Sequence, residues 1–371
     1  MPEGRRHPVK RREFLRTGVA TALTAPVLAA PAVAQSAPEI TWRLTSSFPK
    51  SLETMFGTAQ LLCRHVAEAT DNRFQIQPFP PGELAQSHQA LGAVASGSVE
   101  CAHTSMSFYA SKDPTLGFGS GIPFGLNSRH HLSWWTFGGG ADIVSAALKR
   151  FNVVALPAGL SGTQMGAWFK KEIATVDDLK GLRFRISGMG GPILARVGLD
   201  PQHIMHFDVY TALEQGTIDA AEVISPHDDE KLGVVKVAKL NYHPCWWESG
   251  GMLHLLVNQE KWQALPKSYR AVLSRACEAA TSWMLARYDA LNGPALKRLV
   301  QAGAVLKAFP PPVMEAFHRA AGEHYAEIAA RDAGFKRALE SLSAFRKDHI
   351  QWLQVGEHAF DAFMIGARGR V

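Results

Sequence analysis

Two arginines sit two residues apart in the run Leu182-Arg183-Phe184-Arg185-Ile186, which leads into Gly188-Met189-Gly190-Gly191 and Pro192. The alternation predicts a strand with Arg183 and Arg185 on one face, so that one can enter a cleft and the other stay at its rim. A guanidinium in a cleft matches a carboxylate through two parallel N–H donors; the competing reading is a surface salt bridge. Glycines between a strand and a helix let backbone N–H groups face an anion, and close helix–strand packing accounts for them equally well. Trp246-Trp247-Glu248 is a second cluster. Adjacent tryptophans in an extended segment point opposite ways, so one can pack inward while the other walls a cleft, with Glu248 as a polar anchor. Two core aromatics and a surface acid is the alternative. His203-Ile204-Met205-His206 and His227-Asp228-Asp229-Glu230 hold potential metal ligands but match no zinc spacing. Enzyme motifs are scarce. Gly159-Leu160-Ser161-Gly162 is not a nucleophile elbow, and Gly117-Phe118-Gly119-Ser120-Gly121 lacks dinucleotide spacing.

Residues 1–34 read as a twin-arginine export leader. Arg11-Arg12 precedes Phe14-Leu15, an uncharged stretch runs from Thr17 to Ala34, and Ala32-Val33-Ala34 is a small-x-small cleavage site. The leader holds six basic and two acidic residues, so it carries +4 of the chain's +6 formal charge. The remaining 337 residues are close to neutral at about +2, which gives no reason to expect a nucleic-acid partner. They suffice for two lobes of ordinary domain size. The cysteines Cys63, Cys101, Cys245 and Cys277 lack metal or redox spacing and are expected as buried thiols.

The elements that must position these groups follow a regular pattern. Thr41–Ser46 alternates as a strand, a helix spans Ser51 to about Thr70, and Phe74 and Ile76 mark a second strand. A helix near Gln86–Ser96 leads to a strand at Val99–His103. This β-α-β-α-β order predicts a parallel sheet covered by helices. Gly117, Gly119, Gly121 and Pro123 predict a loop, Arg129–Arg150 helices, and Val153–Pro157 a strand. A second α/β block has strands at Ala167–Phe169, Arg183–Ile186 and near Ala220–Ser225, and helices at Pro192–Val197 and Val209–Gln215. Asp208 is the expected N-cap of the latter and Gly216 its C′ residue. After a strand at Leu253–Asn258, helices dominate. Leu265–Ala302 is long, with a kink or break expected at Gly293-Pro294, and Leu342–Ile365 is amphipathic. Two α/β lobes with strands crossing between them imply a cleft that closes on a ligand by hinge motion. For an exported chain that means a solute receptor or a hydrolase.

Taken in order, several blocks resemble the substrate-binding proteins of tripartite ATP-independent periplasmic (TRAP) transporters, in the branch that binds 2-oxo and 2-hydroxy monocarboxylates. They include Trp42-Arg43-Leu44, Lys112-Asp113-Pro114, Ile122-Pro123-Phe124-Gly125-Leu126-Asn127, Gln164-Met165-Gly166, Trp168-Phe169-Lys170-Lys171-Glu172-Ile173, the Arg185 strand, Tyr210 to Ala220, Asp228 to Gly233 and Trp246-Trp247-Glu248. The resemblance covers nearly the whole chain beyond the leader. It implies an α/β, two-lobed periplasmic solute-binding fold with hinge strands, a long bracing helix, a helical C-terminus and no catalysis. The expected divisions are a first lobe at 35–162 with part of 251–300, a second lobe at 163–250, and a helix-rich segment at 251–371 bracing both.

The resemblance also implies site roles. Arg185 grips the ligand carboxylate, and Tyr109 reaches it. Gln164, Glu222, the carbonyl of Val223 and Glu248 hold a bridging cation, sodium or calcium, with Gln164 and Trp247 also at the substrate. The implied partners are a small organic acid of the pyruvate kind, the membrane permease subunits of the transporter and, through the last helix, a second copy in a homodimer. Val223 stands where a tryptophan is usual, Phe108-Tyr109 is a reduced aromatic run, and Ser249 replaces a glycine, so a roomier pocket or a different acid is expected. Charge supports the cation: one ligand carboxylate against Arg185 would leave Glu222 and Glu248 uncompensated, and oxygen donors suit a hard ion. Two other readings compete. One is a periplasmic enzyme acting on a small acid with Glu222 or His227 as base; the other is a receptor that presents its ligand to a signalling protein.

Overall fold

The computed structural model describes residues 38–368; the segment expected to be an export leader, 1–34, lies outside them. The chain begins with β1 (Ile40–Ser46), α1 (Glu53–Ala69), β2 (Phe74–Phe79), α2 (Ala90–Ala95) and β3 (Cys101–Ser105). Short helices α3 (Gly117–Ser120), α4 (Ser128–Phe137) and α5 (Gly140–Leu148) precede β4 (Val153–Leu160). A second block holds β5 (Ala167–Phe169), β6 (Arg183–Arg185), α6 (Gly190–Arg196), β7 (Asp200–Gln202), α7 (Val209–Glu214), β8 (Ala220–Glu222), α8 (Pro226–Leu232) and β9 (Leu240–His243). The chain then returns as β10 (Met252–Asn258), α9 (Gln259–Ala264), α10 (Lys267–Gln301), β11 (Val305–Ala308), α11 (Pro311–Arg331), α12 (Ala333–Leu353) and α13 (Ala359–Ala367).

Two mixed sheets result, ordered β2-β1-β3-β10-β4 and β11-β9-β5-β8-β6-β7. The expected parallel pairing holds for β1 with β2 and β3. Beyond these three strands the sheet is mixed, because β10 enters antiparallel between β3 and β4. All seven residues of β10 are buried, as suits a strand covered on both faces. The connection between β4 and β5 and the one between β9 and β10 therefore cross from one sheet to the other, and β11 crosses back to pair with β9.

Helix α10 runs unbroken through Gly293-Pro294, contrary to the expected break. Leu273, Ala276, Cys277, Ala280, Met284, Tyr288 and Leu299 form a buried stripe along it. Ala290, Gly293 and Pro294 are exposed, so the carbonyl that Pro294 leaves without an N–H partner turns to water. At roughly 1.5 Å per residue the helix is about 50 Å long, long enough to pack on α1 and β4 at the first sheet and on α8 at the second. The predicted loop at Gly117–Gly121 contains α3 instead. A Cβ on Gly117 or Gly119 would lie 2.6 or 2.4 Å from the sulfur of Met189 or Met106, so these glycines admit close packing. Asp208 occupies the N-cap position of α7 but makes no side-chain cap bond; Gly216 takes the left-handed conformation at φ 73°. All four cysteines are buried free thiols, and burial pushes Cys63 up to about 12. Among the described residues no helix is long and apolar enough to cross a membrane.

Candidate functional site

The site forms where the ends of β6 and β8, the β4–β5 connection and the loop before β10 converge. Strand β6 pairs with β8 in parallel, with Arg185 opposite Ala221, so Arg185 and Glu222 leave the second sheet together. Arg183 is the rim residue. Its backbone N–H and its guanidinium donate to Asp219 at 3.0, 3.0 and 2.9 Å, with its side chain 42% exposed. Arg185 is 2% exposed. Its Nε donates to the Ile204 carbonyl at 2.8 Å, Nη1 to the Glu222 carbonyl at 2.7 Å and also to the Glu222 carboxylate, and Nη2 to Ser187 Oγ at 2.9 Å. Four of its five N–H groups thus have protein acceptors. The clamp read from the sequence has one free N–H, so a bidentate grip requires Glu222 or Ser187 to give way.

Glu248 lies across the cleft. Its Oε2 accepts from Gln164 Nε2 at 2.9 Å, and Gln164 also reaches Ser161 Oγ at 3.4 Å. Ser161 Oγ accepts from the Gly251 N–H at 2.8 Å. A Cβ on Gly251 would sit 3.1–3.2 Å from the Glu248 carboxyl atoms, so glycine keeps that space open. Gly166 answers a harder constraint: its Cβ would fall 1.6 Å from the Tyr242 carbonyl oxygen. Burial raises Glu248 to about 7, helped by Glu222 and opposed by the Gln164 hydrogen bond and Arg185. Burial also raises Glu222 despite Arg185.

Two adjoining cavities share Ser107, Phe108, Ser187 and His206 as walls. The inner one, about 40 Å³, is walled by Gln164, Glu222, Val223 and Glu248 together with Phe48, Met55, Ser161 and Leu253. The outer one, about 470 Å³, carries Arg185 and Gly188. The structure therefore gathers five of the seven expected site residues around connected space.

Two expectations are corrected. Tyr109 is fully buried, its hydroxyl engaged with Thr104 Oγ1 at 2.8 Å and the Ser87 carbonyl at 3.4 Å, and its neighbour Phe108 reaches the cavities. Trp247 does not wall the cleft. Both tryptophans are buried, and Trp247 packs edge-on against Trp246 at 5.4 Å and Phe184 at 6.1 Å. Ser107, Ser187 and His206 were not assigned from the sequence; only His206 left a signal, in the His-Ile-Met-His run. Burial and the adjacent Arg185 hold the His206 imidazole well below its usual range, so it faces the cavities uncharged.

No group of three His, Cys, Asp or Glu side chains among the described residues is placed to hold a metal. The inner cavity instead brings together two carboxylates and a side-chain amide, whose oxygens are hard donors that suit sodium or calcium. Its volume is that of an ion with a few small atoms.

Residues 45–332 match the profile of the bacterial extracellular solute-binding proteins, family 7. The chain is 44% identical over 360 residues to a monocarboxylate 2-oxoacid-binding periplasmic protein of Nostoc sp., covering 96% of this chain and 99% of that one. It superposes with TM-score 0.87 and 42% identity on a TRAP transporter solute-binding protein of Bordetella bronchiseptica, a mixed-occupancy dimer with copurified calcium and picolinate in one active site; the match covers 90% of this chain and 99% of that one. A TRAP solute-binding protein of Pseudoalteromonas atlantica with bound sodium and pyruvate superposes with TM-score 0.84 at 30% identity, over 87% and 98% of the two chains. The chain belongs to family 7 of the bacterial extracellular solute-binding proteins, the periplasmic solute receptors of TRAP transporters.

Proposed function

We propose that this receptor binds a small 2-oxo or 2-hydroxy monocarboxylate, of which pyruvate is the simplest, together with one sodium or calcium ion, and hands it to membrane permease subunits without chemical turnover. The observation that carries the reading is the convergence of Arg185, Glu222 and Glu248 on connected cavities. Arg185 is already balanced by Glu222, so an incoming carboxylate brings uncompensated negative charge into a buried site beside Glu248. A cation held by Gln164, Glu222, the Val223 carbonyl and Glu248 would neutralise it and give the ligand oxygens a shared partner. The Nostoc and Pseudoalteromonas relatives support this ligand class, and the Bordetella and Pseudoalteromonas structures support calcium and sodium respectively. Ser161 and Gly251 shape the space beside Glu248, and Phe108 and Val223 wall it.

The lobes at 35–162 and 163–250 would close over the acid, with export through the twin-arginine leader and pairing of two copies through the last helices. The enzyme reading is disfavoured: Glu222 is committed to Arg185, and His227 sits on α8, away from both cavities. The experiment is calorimetry of chelator-washed, sodium-free protein with pyruvate, before and after adding sodium or calcium. Binding that appears only with the ion supports the proposal; equal affinity without it removes the bridging ion, and no binding of any 2-oxo acid removes the ligand class.

A further inference from the structure

A ligand as small as pyruvate uses Arg185 and the inner cavity and leaves most of the outer cavity, about 470 Å³, to solvent. That cavity is built from both sides of the cleft. His88 and Ser111 come from the segments flanking β3, and His203 and His206 from the segment after β7. Among the described residues no Asp or Glu lines it, whereas the inner cavity holds two. None of these three imidazoles, nor the Ser111 hydroxyl, makes a hydrogen bond within the described chain, although Ser47, Ser87, Ser107 and Ser187 along the same walls are engaged. The outer cavity therefore presents uncommitted donors, a guanidinium at its inner end and no competing carboxylate. An alkyl tail would strip water from these donors without replacing the lost hydrogen bonds. A tail bearing oxygen would replace them.

We propose that the outer cavity is a tail subsite, and that the preferred ligand is a 2-oxo or 2-hydroxy acid of five or six carbons whose tail carries oxygen acceptors, held between His88 on one side of the cleft and His203 on the other. The inference rests on the receptor reading above and narrows its ligand class. The shared chemistry is an oxygen-bearing tail, and a terminal carboxylate and a row of hydroxyls are its two sources. Because His88 and His203 come from opposite sides, such a tail also ties the cleft shut, which an alkyl chain of equal length cannot do through these residues.

The test is calorimetry with calcium present, using pyruvate, 2-oxovalerate, 2-oxoglutarate and 2-oxogluconate on wild type and on a His88→Ala/His203→Ala variant. Both histidines are exposed, so the variant is expected to fold normally. In wild type at least one oxygen-tailed acid should bind about tenfold or more tighter than 2-oxovalerate, and which of the two does so identifies the tail. In the variant that preference should shrink to within about threefold, while pyruvate affinity stays the same. If 2-oxovalerate equals or exceeds both oxygen-tailed acids, or the preference survives in the variant, the subsite is refuted even though pyruvate binds. If no acid binds, pyruvate included, it is the receptor reading that fails.

Discussion

Replacing Arg185 and Glu222 together should damage the ligand-free protein no more than replacing either one alone. The two side chains are 2% and 7% exposed, so each is a charge held out of water by the other. Arg185→Met strands the Glu222 carboxylate and frees the carbonyls of Ile204 and Glu222; Glu222→Met strands the guanidinium. Breaking a buried pair from one side costs roughly 3–5 kcal/mol. Arg185→Met/Glu222→Met removes both charges and leaves Ser187 Oγ and the two carbonyls without their guanidinium donor, at about 1–3 kcal/mol for each buried carbonyl. The double variant should therefore cost about as much as either single one, a coupling of roughly 3 kcal/mol or more, at the upper end for contacting residues. Urea unfolding without ligand or cation, at unchanged m-value, gives the three numbers. Additive costs would refute the buried-pair argument. In calorimetry, Arg185→Met should also weaken acid binding by roughly two to three orders of magnitude, at about 1.4 kcal/mol per decade. Arg185→Lys should recover part of this, since lysine has three donors for the four bonds that arginine makes. Arg183→Ala, at the rim, should shift Kd by less than about tenfold, and full affinity in a folded Arg185→Met protein would end the carboxylate-clamp assignment.

Stability should depend on pH through the buried pair Asp228 and Asp229, which burial raises from 3.8 to about 6 and about 7. A raised carboxyl holds its proton more tightly when folded, so its contribution is fully present below 3.8 and is lost as pH rises through about 7. Asp229→Asn cannot ionise, so between pH 5 and 7 the stability of the variant relative to wild type should improve by up to roughly 1.4 kcal/mol per unit; the buried histidines His103, His131 and His254 cancel in that difference, and a flat difference contradicts the assignment. Ile350, Trp352, Phe360 and Phe363 on α12 and α13 are 57–71% exposed, an apolar face of the kind that marks interfaces. Light scattering should give a dimer at micromolar concentration that Trp352→Glu/Phe363→Glu separates, and a monomeric wild type would dismiss the pairing. Arg11→Lys/Arg12→Lys should block export, and mass spectrometry should find a mature N-terminus within a few residues of Gln35; periplasmic protein that still begins at Met1 would refute the leader.

Local order was legible in the sequence and non-local order was not. Alternation marked β1, β2 and β6, and the apolar stripe marked α1. Nothing in Met252–Asn258 announces that it pairs with β3 and β4, because antiparallel insertion leaves no local trace. The Gly293-Pro294 rule lost to the stripe from Leu273 to Leu299. Tyr109 was misplaced because Met106–Tyr109 is a tight 3₁₀ turn, in which adjacent residues face different ways and the phase is invisible from sequence. Adjacency in the sequence predicts an extended tryptophan pair, but the two lie in a loop that buries both. Arg185 and Glu248 stand out from their own sequence neighbourhoods. Gln164 and Glu222 entered only through resemblance, since their meeting depends on both sheets.

The place of β10 in the first sheet also bears on how the chain is made. Strands β3 and β4 cannot be joined until Met252–Asn258 arrives, and Leu160, the end of β4, precedes Asn258 by 98 residues. At about 5–20 residues per second of synthesis, that gap lasts roughly 5–20 s. Throughout it a nascent chain carries two unpaired strand edges, the condition under which edges recruit foreign strands. No cut through the sequence separates the sheets either. A fragment ending at residue 162 lacks the middle of its own sheet, and one beginning at residue 163 carries a strand with nowhere to pair.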